Sequence, residues 1–213
     1  MKAYILPVIV FMASCSCHAQ DTTSTQTPYS SFQRHTSIIT VSFGLADWNK
    51  QNYKKPDSTT FGSGSTSLPV YLKLERAIGK HISITASLAY DVFYYNYSHP
   101  EVSNGKSYYL QYSDKVRIVS PGLQLSYHFN DLIPIRNLDV FITAGGAANF
   151  VHHDSYLHAD TSSHVTRPTI DPLVRLGARY YINKHAAFFG DVGYDRISLI
   201  SLGFSYRIFG KLL

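Results

Sequence analysis

The chain has 213 residues, a formal net charge of +5, 15% charged and 14% aromatic residues, including 17 Tyr and 12 Phe. That length suits a single domain, and so small a charge, with no Lys/Arg run, excludes a nucleic-acid partner. The two cysteines, Cys15 and Cys17, both fall in the N-terminal segment, which excludes a disulfide scaffold or a thiol enzyme once that segment is removed.

Residues 1–19 have the layout of a secretory signal peptide: the positive Met1-Lys2, an apolar run over 3–13, and small residues ending in Cys17-His18-Ala19 before Gln20. The run is too short for a spanning helix, which needs about 20 apolar residues. Cleavage after Ala19 removes Lys2, leaving 18 basic against 14 acidic residues. A competing reading takes Met12-Ala13-Ser14-Cys15 as a lipoprotein box with Cys15 acylated. Residues 20–35, rich in Thr, Ser and Gln with no apolar period, read as a flexible periplasmic leader.

From there eight segments alternate apolar and polar side chains with period two. The first, 37–46, sets Ile39, Val41, Phe43 and Leu45 against Thr40, Ser42 and Gly44, and a polar loop over 48–66 follows. The second, 68–75, sets Leu68, Val70, Leu72 and Leu74 against Tyr71, Lys73 and Glu75. The third, 82–95, places Ile84, Leu88 and Tyr90 opposite Ser83, Thr85 and Asp91, before a polar loop at 96–107. In the fourth, 108–129, Leu123, Leu125 and Tyr127 alternate with Gln124, Ser126 and His128. Val116 and Ile118 take the opposite phase, so a bulge at Pro121-Gly122 is expected. Pro69 and Pro121 each forfeit a ladder hydrogen bond.

The fifth segment, 138–150, sets Val140, Ile142 and Ala144 against Asp139 and Thr143, and a long loop at 152–170 follows. The sixth, 173–181, alternates Val174, Leu176, Ala178 and Tyr180 with Arg175, Gly177 and Arg179. The seventh, 186–194, sets Phe188, Val192 and Tyr194 against Asp191, although adjacent Phe188 and Phe189 leave its phase open. The eighth, 197–208, sets Ile200, Leu202, Phe204 and Tyr206 against Ser205 and Arg207.

Aliphatic residues on one face and charges on the other fit an all-β, eight-stranded antiparallel up-and-down transmembrane barrel over 36–209, with lipid outside and both termini periplasmic. Connections after segments one, three and five are long and those after two, four and six short, the asymmetry of surface loops and periplasmic turns, which the short connection after segment seven breaks. Tyr94, Tyr108, Tyr109, Phe150 and Tyr194 are expected near the outer membrane interface and Tyr127, Phe129, Tyr180 and Tyr206 near the inner one, because a ring can lie in hydrocarbon while its hydroxyl reaches water.

Ser201-Leu202-Gly203-Phe204-Ser205-Tyr206-Arg207-Ile208-Phe209, with Gly177-Ala178-Arg179-Tyr180-Tyr181 and Phe189-Gly190-Asp191-Val192-Gly193-Tyr194, resembles the small outer-membrane β-barrel domain family. The resemblance covers about 36–209 through loose motifs, and implies an eight-stranded, porin-like or surface-exposed protein of the bacterial outer membrane. It implies outer-membrane lipid and the barrel assembly machinery as partners and names no surface ligand. Such barrels commonly end on an aromatic residue that the machinery reads; here Phe209 precedes Gly210-Lys211-Leu212-Leu213.

Eight charges map to the lumen, Lys73, Arg175, Arg179 and Arg207 against Glu75, Asp91, Asp139 and Asp191. An eight-stranded barrel is only wide enough for side chains to fill, so a salt-bridge network plugging it is the economical reading, and a proton or ion path is the other. His152, His153, Asp154, His158, Asp160 and His164 could gather a zinc or copper ion from one loop, but no fixed ligand spacing is present and histidines are also simply tolerated on a wet loop. Tyr97-Ser98-His99 with Glu101 is the one local set suited to a lipid-modifying enzyme, without a visible strained turn or oxyanion donor. No catalytic residue and no cofactor is therefore expected. The expected function is a non-enzymatic barrel with a filled lumen whose long loops contact a partner or surface, with a lipid-A-modifying enzyme or a narrow pore as alternatives.

Overall fold

The computed structural model describes Phe32 and residues 35–47, 61–103, 106–133, 135, 137–157, 160–165 and 168–208. The ten strands are β1 (Ser37–Asp47), β2 (Phe61–Thr66), β3 (Val70–Ala77), β4 (Ile82–Ser103), β5 (Lys106–His128), β6 (Leu138–Leu157), β7 (Asp160–Val165), β8 (Thr169–Tyr181), β9 (Ala186–Tyr194) and β10 (Ser198–Ile208). Eight of them, β1, β3, β4, β5, β6, β8, β9 and β10, close an antiparallel ring, because β4 pairs with β5 and β1 pairs with β10. Closure satisfies every strand edge around the ring.

The short β2 and β7 continue β3 and β8 across breaks at residues 67–69 and 166–168. β2 pairs with the far half of β4, as β3 does with its near half, and β6 holds β8 and β7 in the same way. The segments expected as loops at 48–66, 96–107 and 152–170 thus carry strand. β4 and β5 stay paired from Ile82 with Tyr127 to Ser103 with Lys106, and β6 runs on to Leu157. Polar alternation on both faces hides such strands from a hydropathy reading, since nothing there needs an apolar side.

β2, β4, β5, β6 and β7 therefore form a sheet that rises past the ring on one side, while β9 and β10 join through residues 195–197. At the opposite end lie the three other turns, 78–81, 129–137 and 182–185, and both Ser37 and Ile208, which pair with each other. At this turn end Lys80 Nζ stands 2.7 Å from Asp131 Oδ2, and its hydrogen bond holds the Asp131 carboxyl below its ordinary value.

The register is unbroken along β5. Val119 faces Phe150 and Gly122 faces Ala147 in one continuous alignment, with no extra residue. The expected bulge is absent: Pro121 points outward, and only its rung and that of Ser120 to β6 are missing, while both still pair with β4. Val116 and Ile118 keep the inward phase of Gln124 and Ser126, and they are buried with Tyr71, Ala89, Phe93 and Ile197 in an apolar cluster. An apolar inner patch, not a phase change, explains the irregular pattern.

The outward face is apolar all round the ring, with Val41, Leu72, Leu88, Leu125, Ile142, Leu176, Phe188, Val192, Leu202 and Phe204 all exposed. The inward face is buried and polar. That is the reverse of a soluble barrel's arrangement.

Candidate functional site: the filled lumen and its rims

Alternation along the closing strands sends Lys73 and Glu75 from β3, Asp91 from β4, Asp139 from β6, Arg175 and Arg179 from β8, Asp191 from β9 and Arg207 from β10 inward, where all eight are buried. Six of them form two groups. Towards the turn end, Arg179 pairs with Glu75 and, at 3.2 Å, with Asp139. His128 bridges the same carboxylates, Nδ1 at 2.8 Å from Asp139 Oδ1 and Nε2 at 3.1 Å from Glu75 Oε1. Farther along, Asp191 receives Lys73 Nζ at 2.6 Å and Arg175 Nη2 at 2.8 Å, and Ser201 Oγ donates to it as well. Arg175 Nη1 also lies 2.5 Å from Asp195 Oδ2 and donates to the Ser198 carbonyl at 2.8 Å.

Phe189 lies between the groups, with Lys73 Nζ 4.7 Å and Arg179 Cζ 5.8 Å from its ring centre. The Phe141 ring stacks 6.3 Å from it and carries Arg179 at 4.5 Å. Cations placed over ring faces gain from the quadrupole in addition to their carboxylate partners. Arg207 sits 4.2 Å over the Tyr181 ring and donates from Nε to the Lys184 carbonyl at 3.0 Å. Asp91 is fully buried and pairs in register with Ile118.

Two members escaped the sequence reading. His128 stood on the correct face but was not counted as a charge, and Asp195 lay in a turn. The signal for Asp195 is Asp-Arg-Ile-Ser between two strands, the start of an Asx turn. Its Oδ1 accepts from the Ile197 and Ser198 amides at 3.0 and 2.8 Å while Oδ2 holds Arg175, and Arg196 takes a φ of 68°.

Both ends of the lumen are closed by apolar groups. At the turn end Phe32 is buried with Ile38 and Ala77, and its ring stacks on His128 with 3.6 Å between centres and 14° between planes. The rest of the leader lies outside the described residues apart from His35, but Phe32 itself is a docked plug, whose apolar ring among polar neighbours gave no periodic signal. At the other end the Tyr71, Phe93, Val116, Ile118 and Ile197 cluster covers the Asp191 group. A small void lined by apolar groups such as Ala89 and Leu173 and by Lys73, Gln124 and Arg175 has room for about one water.

Of the aromatic residues expected in the two girdles, Tyr127, Tyr180 and Tyr206 are exposed on the ring's outer face near the turn end, and Phe129 packs edge-on against Tyr127 at 5.3 Å. Tyr94, Phe150 and Tyr194 are exposed towards the hairpin end. Tyr108 and Tyr109 are not level with them. They pair with Glu101 and Pro100 at the hairpin tip, 18 residues beyond Tyr127 in the case of Tyr109, roughly 45 Å up a strand rising about 3.3 Å per residue and tilted about 40°.

His152 Nε2 contacts Asp154 Oδ1 at 2.9 Å, and His153 pairs in register with His164. His158 lies outside the described residues. Among the described residues no group of three or more His, Cys, Asp or Glu could hold a metal ion. Tyr97 stacks on Tyr112, and the side chains of His99 and Glu101 lie outside the described residues.

No known protein family and no curated protein matches the chain in sequence. Among solved structures it is similar to Ail, the attachment invasion locus protein of Yersinia pestis, at 12% identity over 83% of this chain and 100% of that one, with a TM-score of 0.45. It is similar also to the outer membrane protein OprG from Pseudomonas aeruginosa, at 13% identity over 84% and 98% with a TM-score of 0.45. The N-terminal β-barrel domain of Pseudomonas aeruginosa OprF gives 13% identity over 82% and 98% with a TM-score of 0.46. The eight-stranded ring itself rests on this chain's own strand pairing.

Proposed function

We propose that this protein is a non-enzymatic barrel of the bacterial outer membrane that works through the sheet projecting from its ring. The observation that carries the reading is the inverted distribution of side chains. A continuous apolar outer face such as Leu72, Leu88, Ile142, Leu176 and Leu202 needs hydrocarbon around it, and the paired charges inside leave no path for a solute. With the lumen closed at both ends, the surface left to do work is the β2, β4, β5, β6 and β7 extension. Short turns at the end shared by Ser37 and Ile208 favour periplasmic termini and an external extension.

Export by the segment over 1–19 and insertion by the barrel assembly machinery belong to the same reading. The test is fractionation of cells followed by gels with and without boiling, together with protease treatment of intact cells. The expected result is an outer-membrane protein with a heat-shifted band, cut near residues 104–105 at the hairpin tip and spared at 78–81. A soluble protein without a heat shift overturns it. A lipid-A mass profile that changes on deletion of the gene would favour an enzyme instead.

A further inference from the structure

On the outer face of β5 the apolar series Tyr127, Leu125, Leu123, Pro121 and Val119 gives way to Arg117 and Lys115. Arg117 lies ten residues above Tyr127, roughly 25 Å up the barrel at about 3.3 Å per residue and a tilt of about 40°, which is the height of an outer-membrane apolar band, about 25 Å. In register it stands between Val92 of β4 and His152 of β6, one step above the row of Tyr90, Val119 and Phe150. Lys115 stands between Tyr94 and Asp154, with Nζ 5.5 Å from the Tyr94 ring centre. Asp154 ties the group together, accepting from Arg117 Nη2 at 2.7 Å and contacting His152 Nε2 at 2.9 Å. Two fixed cations and a histidine thus surround one carboxylate, and the net sign is positive. The residues of β7 in register with His152 and Asp154, Val165 and Ser163, carry no charge.

We propose that Lys115, Arg117 and His152 form a docking site for the phosphate of an outer-leaflet lipid headgroup, with Tyr90 and Phe150 seating the lipid's first carbons beneath it. An arginine already oriented by a carboxylate loses less freedom when it takes a phosphate oxygen, and a lysine beside it supplies the point charge that a phosphate monoester needs. The height selects the ligand. At the edge of the apolar band the anion available is a headgroup phosphate, and basic side chains within a Debye length of an anionic surface are drawn to it. Asp154 acts as a positioning residue and does not touch the lipid.

This inference rests on the outer-membrane reading, and the experiment separates the two. Protein refolded in detergent is titrated with bisphosphorylated lipid A, with the same lipid stripped of its phosphates, and with phosphatidylcholine. Binding is read by native mass spectrometry and folding by the heat-shifted band. The wild type is expected to retain bisphosphorylated lipid A at least tenfold better than the dephosphorylated form, with the preference weakening as salt rises. K115Q/R117Q is expected to lose that preference while R196Q, a cation on the rim at residues 195–197, keeps it. Equal retention of both lipids by the wild type overturns the inference, as does a folded K115Q/R117Q that still discriminates. If that variant does not give the heat-shifted band, R117K and the salt dependence of the wild type decide. A protein that never enters the membrane fraction fails the function reading, whatever the lipid result.

Discussion

At the scale of single residues, the lumen tolerates very little change. Arg179 is almost wholly enclosed between Glu75, Asp139 and the Phe141 ring. Arg179→Met leaves two buried carboxylates sharing only His128, a loss of about 3 to 5 kcal/mol. The expected outcome is a clear fall in the urea midpoint of the refolded protein, and an unchanged midpoint would mean that the group is not coupled. Gly177 teaches the other lesson. By alternation it is a small lumen-facing position where serine looks harmless, yet a Cβ there would stand 2.4 Å from Phe141 Cζ. Displacing that ring would also move the surface under Arg179. Gly177→Ser is therefore expected to lower the midpoint, as Leu176→Arg does by placing a charge in the apolar band at about 2 to 4 kcal/mol. Gly177→Ser combined with Phe141→Leu should recover part of the loss, because leucine vacates the space that the ring tip holds. Equal midpoints for the single and double variants would count against the collision.

At the scale of elements, the turn between β9 and β10 and the long hairpin behave differently. Asp195 both closes the turn through the Ile197 and Ser198 amides and holds Arg175, so Asp195→Asn keeps the turn bonds and loses only the charge pairing. Asp195→Ala loses both and should destabilise the barrel more, by urea unfolding of the two variants side by side; the reverse order would remove the turn from the account. Among the described residues, 97–112 of the β4 and β5 hairpin pair only within the hairpin and with the ends of β2 and β6, and close no part of the ring. Replacing residues 97–112 by a two-residue turn is thus expected to leave the heat-shifted band intact. Loss of the band would show that the extension supports the ring.

At the scale of the molecule, strand number decides permeability. Eight strands enclose a lumen that side chains can fill, and here Tyr71, Phe93, Phe141, Phe189, Phe32 and two ion-pair groups are buried within the ring. Protein refolded into planar bilayers should give no steady conductance. Reproducible single-channel steps that persist on repurification would overturn the closed lumen.

Period-two alternation was enough to read the eight ring strands and the inner or outer phase of most of their residues, because one face of every ring strand must be apolar and a slip of one residue would reverse it, though adjacent Phe188 and Phe189 left the phase of the seventh segment open. It was not enough for the strands above the ring, where both faces meet polar surroundings and the hydropathy pattern disappears. Nor could it tell Val116 and Ile118, an apolar patch of the inner face, from a bulge, since both give the same local string. The partners of each charge were likewise out of reach. Glu75 and Arg179 are 104 residues apart, and Lys73 and Asp191 118, so only the closure and shear of the ring bring them to one level. The sequence by itself determined which way most ring residues face; the tertiary structure decided which residues meet, because height around a tilted, closed sheet is a property of no single strand.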